Sequence, residues 1–119
     1  MKIFISDLHL GCGDEREDFL LLPPNGGEDV FRDPVLRRNA INEMHRVFDR
    51  FIETIMKSAP DDDPPELILL GDIFDLLQVE PVEEQFRNPA RLQRIHDAHE
   101  PVFKTLNRFI GRGGRLSFV

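Results

Sequence analysis

Apolar positions change their period along this chain, and the changes mark out its elements. Lys2 to Ser6 is a short, β-branched apolar run, and Glu66 to Leu70 is apolar at consecutive positions. Both predict strands buried on two faces. Between them Leu36, Ala40, Met44, Val47, Phe48, Phe51, Ile52 and Ile55 recur at three- and four-residue spacing, which predicts an amphipathic helix from about Pro34 to Ser58. Asp33-Pro34 supplies a cap with proline at the first helical position, and Ala59-Pro60 followed by Asp61-Asp62-Asp63-Pro64-Pro65 ends the helix in a solvated turn. The acidic triplet reads as a polar loop. A second stripe, Leu92, Ile95, Val102, Leu106, Phe109 and Ile110, is interrupted by Pro101, so two helical pieces or a kink near His99 and Glu100 are expected. Gly111-Arg112-Gly113-Gly114 closes that helix, and Leu116 to Val119 predicts a third strand.

The alternation is that of an α/β protein with a βαβαβ order. Crossovers between parallel strands are right-handed, and two that continue in one direction place both helices on the same face of the sheet. The other face is then bare, and with unpaired edges it predicts marginal stability or aggregation. The stretch from Cys12 to Arg32 is the one long loop, turning at Pro23-Pro24-Asn25-Gly26-Gly27, and loops of that length often shape a substrate mouth.

Composition narrows the functional classes. The 119 residues suit one domain, and 40% hydrophobic residues supply a core. A net charge of −7 disfavours a broad electrostatic footprint on nucleic acid or on an anionic membrane. Cys12 is the only cysteine, which excludes an internal disulfide and a Cys-rich zinc site and fits a reducing cytoplasmic location. The apolar stretch after Met1 is too short for a signal peptide or membrane span, so a native start without export is expected.

Candidate chemistry follows the strands. In parallel strand-helix-strand units the segments after each strand emerge at one sheet edge, which makes Asp7 and Asp72 neighbours. Asp7 and His9 are two apart, and alternate residues of an extended chain point the same way, so carboxylate and imidazole converge on one ion. Gly71 allows a sharp turn that brings Asp72 to that ion, where its second oxygen can reach another. Nitrogen and oxygen ligands without thiolate suit Mn, Fe, Zn or a similar divalent ion.

Asp-Leu-His-Leu-Gly directly after the first strand and Gly-Asp-Ile-Phe-Asp directly after the second resemble the calcineurin-like metallophosphoesterase family. Ile-Leu-Leu-Gly-Asp-Ile-Phe-Asp is also similar to the bacterial UDP-2,3-diacylglucosamine diphosphatase branch. The resemblance implies the N-terminal half of a metallophosphoesterase αββα sandwich, a partial domain over 1–119 that lacks its second sheet. It implies that Asp7 and His9 bind the first metal, that Asp72 bridges two, and that Asp75 orients a ligand from behind. The implied cofactors are two divalent ions, Mn first and Fe, Zn or Ni behind it. The implied substrate is a phosphomonoester, phosphodiester or pyrophosphate, attacked in line by a metal-activated water. Family members complete the site with a Gly-Asn-His motif after the third strand and further histidines. None occurs here, so the resemblance implies a missing C-terminal half and an inactive chain. The alternative is a non-catalytic α/β interaction module with at most one weak metal site.

Remaining polar residues attract plainer readings. His96 and His99 lie three apart beside Asp97 and Glu100 and can share a helix face, but read as surface or helix-end residues. His45 reads as the polar flank of the long helix, and Arg37 and Arg38 as solvent-facing. Cys12 follows the first motif and can line the mouth of the site, without a base to make it a nucleophile.

Overall fold

The computed structural model describes residues 1–20, 32–74 and 87–119. Three strands, β1 (Lys2–Ser6), β2 (Glu66–Leu70) and β3 (Arg115–Phe118), form a parallel sheet in the order β1-β2-β3. Register places Phe4 against Ile68 and Ile68 against Ser117, with Ile5, Leu69 and Phe118 forming the next row. The described residues hold three helices, α1 (Pro34–Ser58), α2 (Arg87–Ala98) and α3 (Glu100–Gly111). None is long and apolar enough to cross a membrane.

Local chemistry explains the boundaries. The Asp33 carboxylate accepts from the Val35 and Leu36 amides at 2.8 and 3.3 Å, satisfying donors that the first turn of α1 leaves open. Between α2 and α3 the chain breaks at His99, and Pro101 falls in the first turn of α3, where its missing N–H is harmless.

The helices of both crossovers cover one face. Leu67 and Leu69 of β2 point into a cluster with Phe48, Ile52 and Ile55 of α1, Ile95 of α2, and Val102, Leu106 and Phe109 of α3. Ile3, Ile5 and Leu116 flank it. On the opposite face Phe4 is 61% exposed, so β1 is not buried on both sides as its apolar run predicts; only β2 approaches that description. Being an edge strand, β1 has one neighbour to shield it, whereas Ile68 is screened by two.

The buried line of α1 also differs from the predicted stripe. It runs Ile41, His45, Phe48, Ile52, Ile55, while Leu36, Val47 and Phe51 are exposed. The helix is rotated so that its 45, 49 and 53 positions meet α3. Asp49 accepts from Thr105 and Arg108, and Glu53 from Arg112. The Arg108 guanidinium beside Asp49 holds that carboxyl below the usual range.

Candidate metal centre

Past β1 the chain stays zipped to the segment past β2. The amides of Asp7, His9 and Leu10 donate to the carbonyls of Leu70, Asp72 and Ile73 at 3.0, 3.0 and 2.8 Å, and Leu10 bridges Phe74 in parallel. This continuation of the ladder brings Asp7, His9 and Asp72 together at the sheet edge, with one potential ligand atom from each within 4.8 Å of the others. An ion bound at about 2.1 Å to each donor needs donors roughly 3 to 4 Å apart, so small side-chain adjustments bring the cluster within the reach of one divalent ion. Carboxylates and an imidazole are donors for such an ion, and the cluster lies open to solvent with Asp7 and Asp72 exposed and His9 half-buried.

The backbone route to this convergence is not the extended one. Asp7 and His9 have φ of 57° and 53°, in the left-handed region that non-glycine residues enter at a cost of about 1 kcal/mol or more each. Leu8 between them is driven into the core, and both ligand side chains turn outward. Gly71, with φ of 70°, faces this turn; a Cβ there would collide with Asp7 Oδ1, which accepts the Asp72 amide at 3.0 Å. Glycine is required by both the angle and the contact. His9 Nδ1 also lies 3.8 Å from Asp18 Oδ2. Asp75, expected behind the ligands, lies outside the described residues, as does most of the long loop.

A second polar cluster sits behind this edge. Glu17, His99 and His45 are buried in series: Glu17 Oε1 lies 2.5 Å from His99 Nε2, and His99 Nδ1 lies 2.9 Å from His45 Nε2. Neither histidine is the surface residue that the sequence suggests. The break at His99 lets its ring turn inward from the α2–α3 junction, and His45 occupies a position on the buried line of α1. Burial, followed by the neighbouring His99, pushes the His45 imidazole down to about 4. His96 remains exposed. Glu17 carried no signal by its type, but its place between Gly11, Gly13 and the buried Phe19 did, and the spacing 41-45-48-52-55 runs through His45.

Other candidates fall away. Arg37 is half-buried and donates from Nε to the Gly13 carbonyl at 3.0 Å, so it braces the loop; Arg38 is exposed. Burial, reinforced by Asp14, raises the Cys12 thiol, which opposes a nucleophilic role. A cleft of about 530 Å³ lies between α1 and α3, away from the ligand cluster, and its Arg46, Lys104 and Arg108 are paired with Glu43, Glu100 and Asp49. No protein-family model, curated protein or solved structure matches this chain.

Proposed function

We propose that Asp7, His9 and Asp72 are the chain's contribution to a metal centre that hydrolyses phosphate esters, as in calcineurin-like metallophosphoesterases. The observation that carries this reading is the convergence of the three donors, Asp7 and His9 on left-handed backbone, at the edge where both parallel strands end. The in-line parallel sheet with helices on one face agrees with the N-terminal half of the family's αββα sandwich. The position of the two motifs on either side of α1, each directly after a strand, supports the same reading.

Asp7 and His9 would hold one ion, and Asp72 would share its carboxylate between that ion and a second. When bound, such ions polarise a phosphoryl oxygen and acidify water. The chain's own work is placement. Gly71 keeps the Asp7 carboxylate in reach, the Asp72 amide fixes Asp7 Oδ1, and Leu8 anchors the turn in the core. Because the protein carries −7, attraction for an anionic phosphate falls to the ions. The substrate class is a phosphomonoester, phosphodiester or pyrophosphate, and the metal Mn, with Fe, Zn or Ni as its competitors.

The reading is tested by titrating Mn²⁺ into the chain. Stoichiometric binding that Asp72→Asn removes is expected, together with binding of inorganic phosphate only when the ion is present. Little or no turnover of bis(p-nitrophenyl) phosphate is expected from this chain alone, because three protein ligands do not complete a two-metal site. Unchanged Mn²⁺ affinity in the Asp72→Asn variant would sink the assignment. The bare sheet face around Phe4 favours a second reading, an α/β interaction module. Absence of Mn²⁺ binding in a chain that self-associates would favour that one.

A further inference from the structure

The segment that follows His9 is a closed loop with one polar centre. The Leu20 amide donates to the Leu8 carbonyl at 3.0 Å, so the chain leaves the ligand turn at Leu8 and returns to it at Leu20. Inside that loop the Glu17 carboxylate accepts from the Gly11 and Phe19 amides on Oε2, at 3.0 and 3.1 Å, and from the Gly13 amide on Oε1 at 3.0 Å. His99 Nε2 contacts Oε1 as well. A Cβ on Gly11 would sit 3.1 Å from both carboxylate oxygens, so the glycine that ends Asp-Leu-His-Leu-Gly makes room for this side chain.

Proton positions in the chain of three follow from what each atom can do. A carboxylate facing three amides only accepts, so His99 Nε2 carries a proton and donates. In neutral His99 the Nδ1 lone pair then accepts from His45 Nε2–H. This leaves His45 Nδ1 as a bare acceptor, and Nδ1 is buried without a hydrogen-bond partner. A buried N–H without an acceptor is the more expensive alternative, which favours the same tautomer. The three side chains come from the loop, the α2–α3 junction and α1, so the series fastens the loop to the helical layer. Phe19 packs edge-on against the His99 ring, with centroids 4.9 Å apart, and fills the space around it.

We propose that Glu17 is the positioning residue of the metal centre: gathering Gly11, Gly13 and Phe19, it sets the loop that follows His9, with His99 and His45 as its buried backing. The inference rests on the metal reading of Asp7, His9 and Asp72; Glu17 is not among the converging donors, its oxygens being taken by amides and His99. It acts as the outer support of a ligand does in metal sites, where removing such support weakens binding by about 10- to 100-fold.

The test compares Mn²⁺ affinity and the visible spectrum of bound Co²⁺ in the full chain and five variants. Glu17→Gln keeps the shape and removes the charge. It is expected to bind Mn²⁺ at least tenfold more weakly and to shift the Co²⁺ absorption. His99→Gln, which retains a donor towards Glu17, is expected to fall between Glu17→Gln and the unsubstituted chain. Gln at 45 restores a donor towards His99, so His45→Gln is expected to bind Mn²⁺ more tightly than His45→Phe. Ile52→Val loosens the core without touching the loop and is expected to keep both affinity and spectrum. Equal Mn²⁺ affinity in Glu17→Gln and the unsubstituted chain overturns the inference. So does an equal loss in Ile52→Val. If Glu17→Gln does not fold, His99→Gln decides, and wild-type affinity there overturns it. Absence of Mn²⁺ uptake by the unsubstituted chain overturns the metal reading and this inference with it; uptake with unaffected variants overturns the inference alone.

Discussion

Two polar clusters draw on the same N-terminal stretch, Asp7 and His9 for one and Glu17 for the other, and obey opposite rules. Asp7 and Asp72 are exposed and His9 half-buried, Asp7 and His9 sit on backbone that resists their conformation, and the three bring their donors together. Glu17, His99 and His45 are buried, and the carboxylate and the His99 ring are consumed by partners inside the protein. An exposed group with converging donors is arranged for something outside the chain. A buried group with its bonds made is arranged for the chain itself. The first pattern spends strain on geometry, and the second removes the penalty of burial through hydrogen bonds.

The sharpest way to break this contrast is Glu17→Ala. It leaves three amides and a histidine buried without their acceptor, so a loss of about 3 to 5 kcal/mol is expected in chemical denaturation, enough to unfold a marginal domain. A loss below about 1 kcal/mol would show that water replaces the carboxylate.

Next comes pH. His45 is held neutral in the fold down to about 4 but titrates at its ordinary value of 6.5 when unfolded. Between those values the unfolded chain binds the extra proton, so stability falls as pH drops from 6.5 towards 4. The span corresponds to about 3 kcal/mol or less. His45→Phe is expected to flatten the stability profile in that window, measured by urea unfolding; a profile parallel to the unsubstituted one would remove the buried imidazole from the account.

Asp7→Asn attacks the other cluster. Asparagine tolerates the left-handed conformation and still accepts the Asp72 amide, so stability is expected to stay within about 0.5 kcal/mol. Mn²⁺ affinity is expected to fall by roughly a hundredfold or more, read by calorimetry. Loss of fold with retained affinity would invert the roles assigned to the two clusters. The smallest thermodynamic effect is expected at the bare face. Phe4→Lys should change the free energy of unfolding by less than about 0.5 kcal/mol while lowering aggregation in light scattering, because Phe4 is exposed on an edge strand. Unchanged aggregation would point to the strand edges instead.

Much of the fold was legible. The bounds Lys2–Ser6, Pro34–Ser58 and Glu66–Leu70 are those the apolar periods predict, because each run matches the period of its element and is closed by Asp33, Pro60 or Gly71. The break at His99 was legible from Pro101. Less was legible about which residues are buried. An apolar run such as Ile3-Phe4-Ile5 does not say whether its strand has one neighbour or two, and the choice between Val47 and His45 as a buried position depends on how α1 rolls against α3. Of the Asp7, His9 and Asp72 cluster, sequence spacing brought the three residues together but did not give their backbone. The extended geometry assumed for Asp7 and His9 is replaced by left-handed turns, since Leu8 must reach the core while the ladder to β2 continues.

By itself, then, the sequence determined the order of strands and helices and the edge at which Asp7, His9 and Asp72 emerge. Those follow from local periodicity and from the geometry of parallel crossovers. Only the tertiary structure decided that Glu17, His99 and His45 belong together. They are separated by 28 and 54 residues in the chain, and no local pattern encodes a hydrogen bond that exists because a loop, a helix and a helix junction pack against one another.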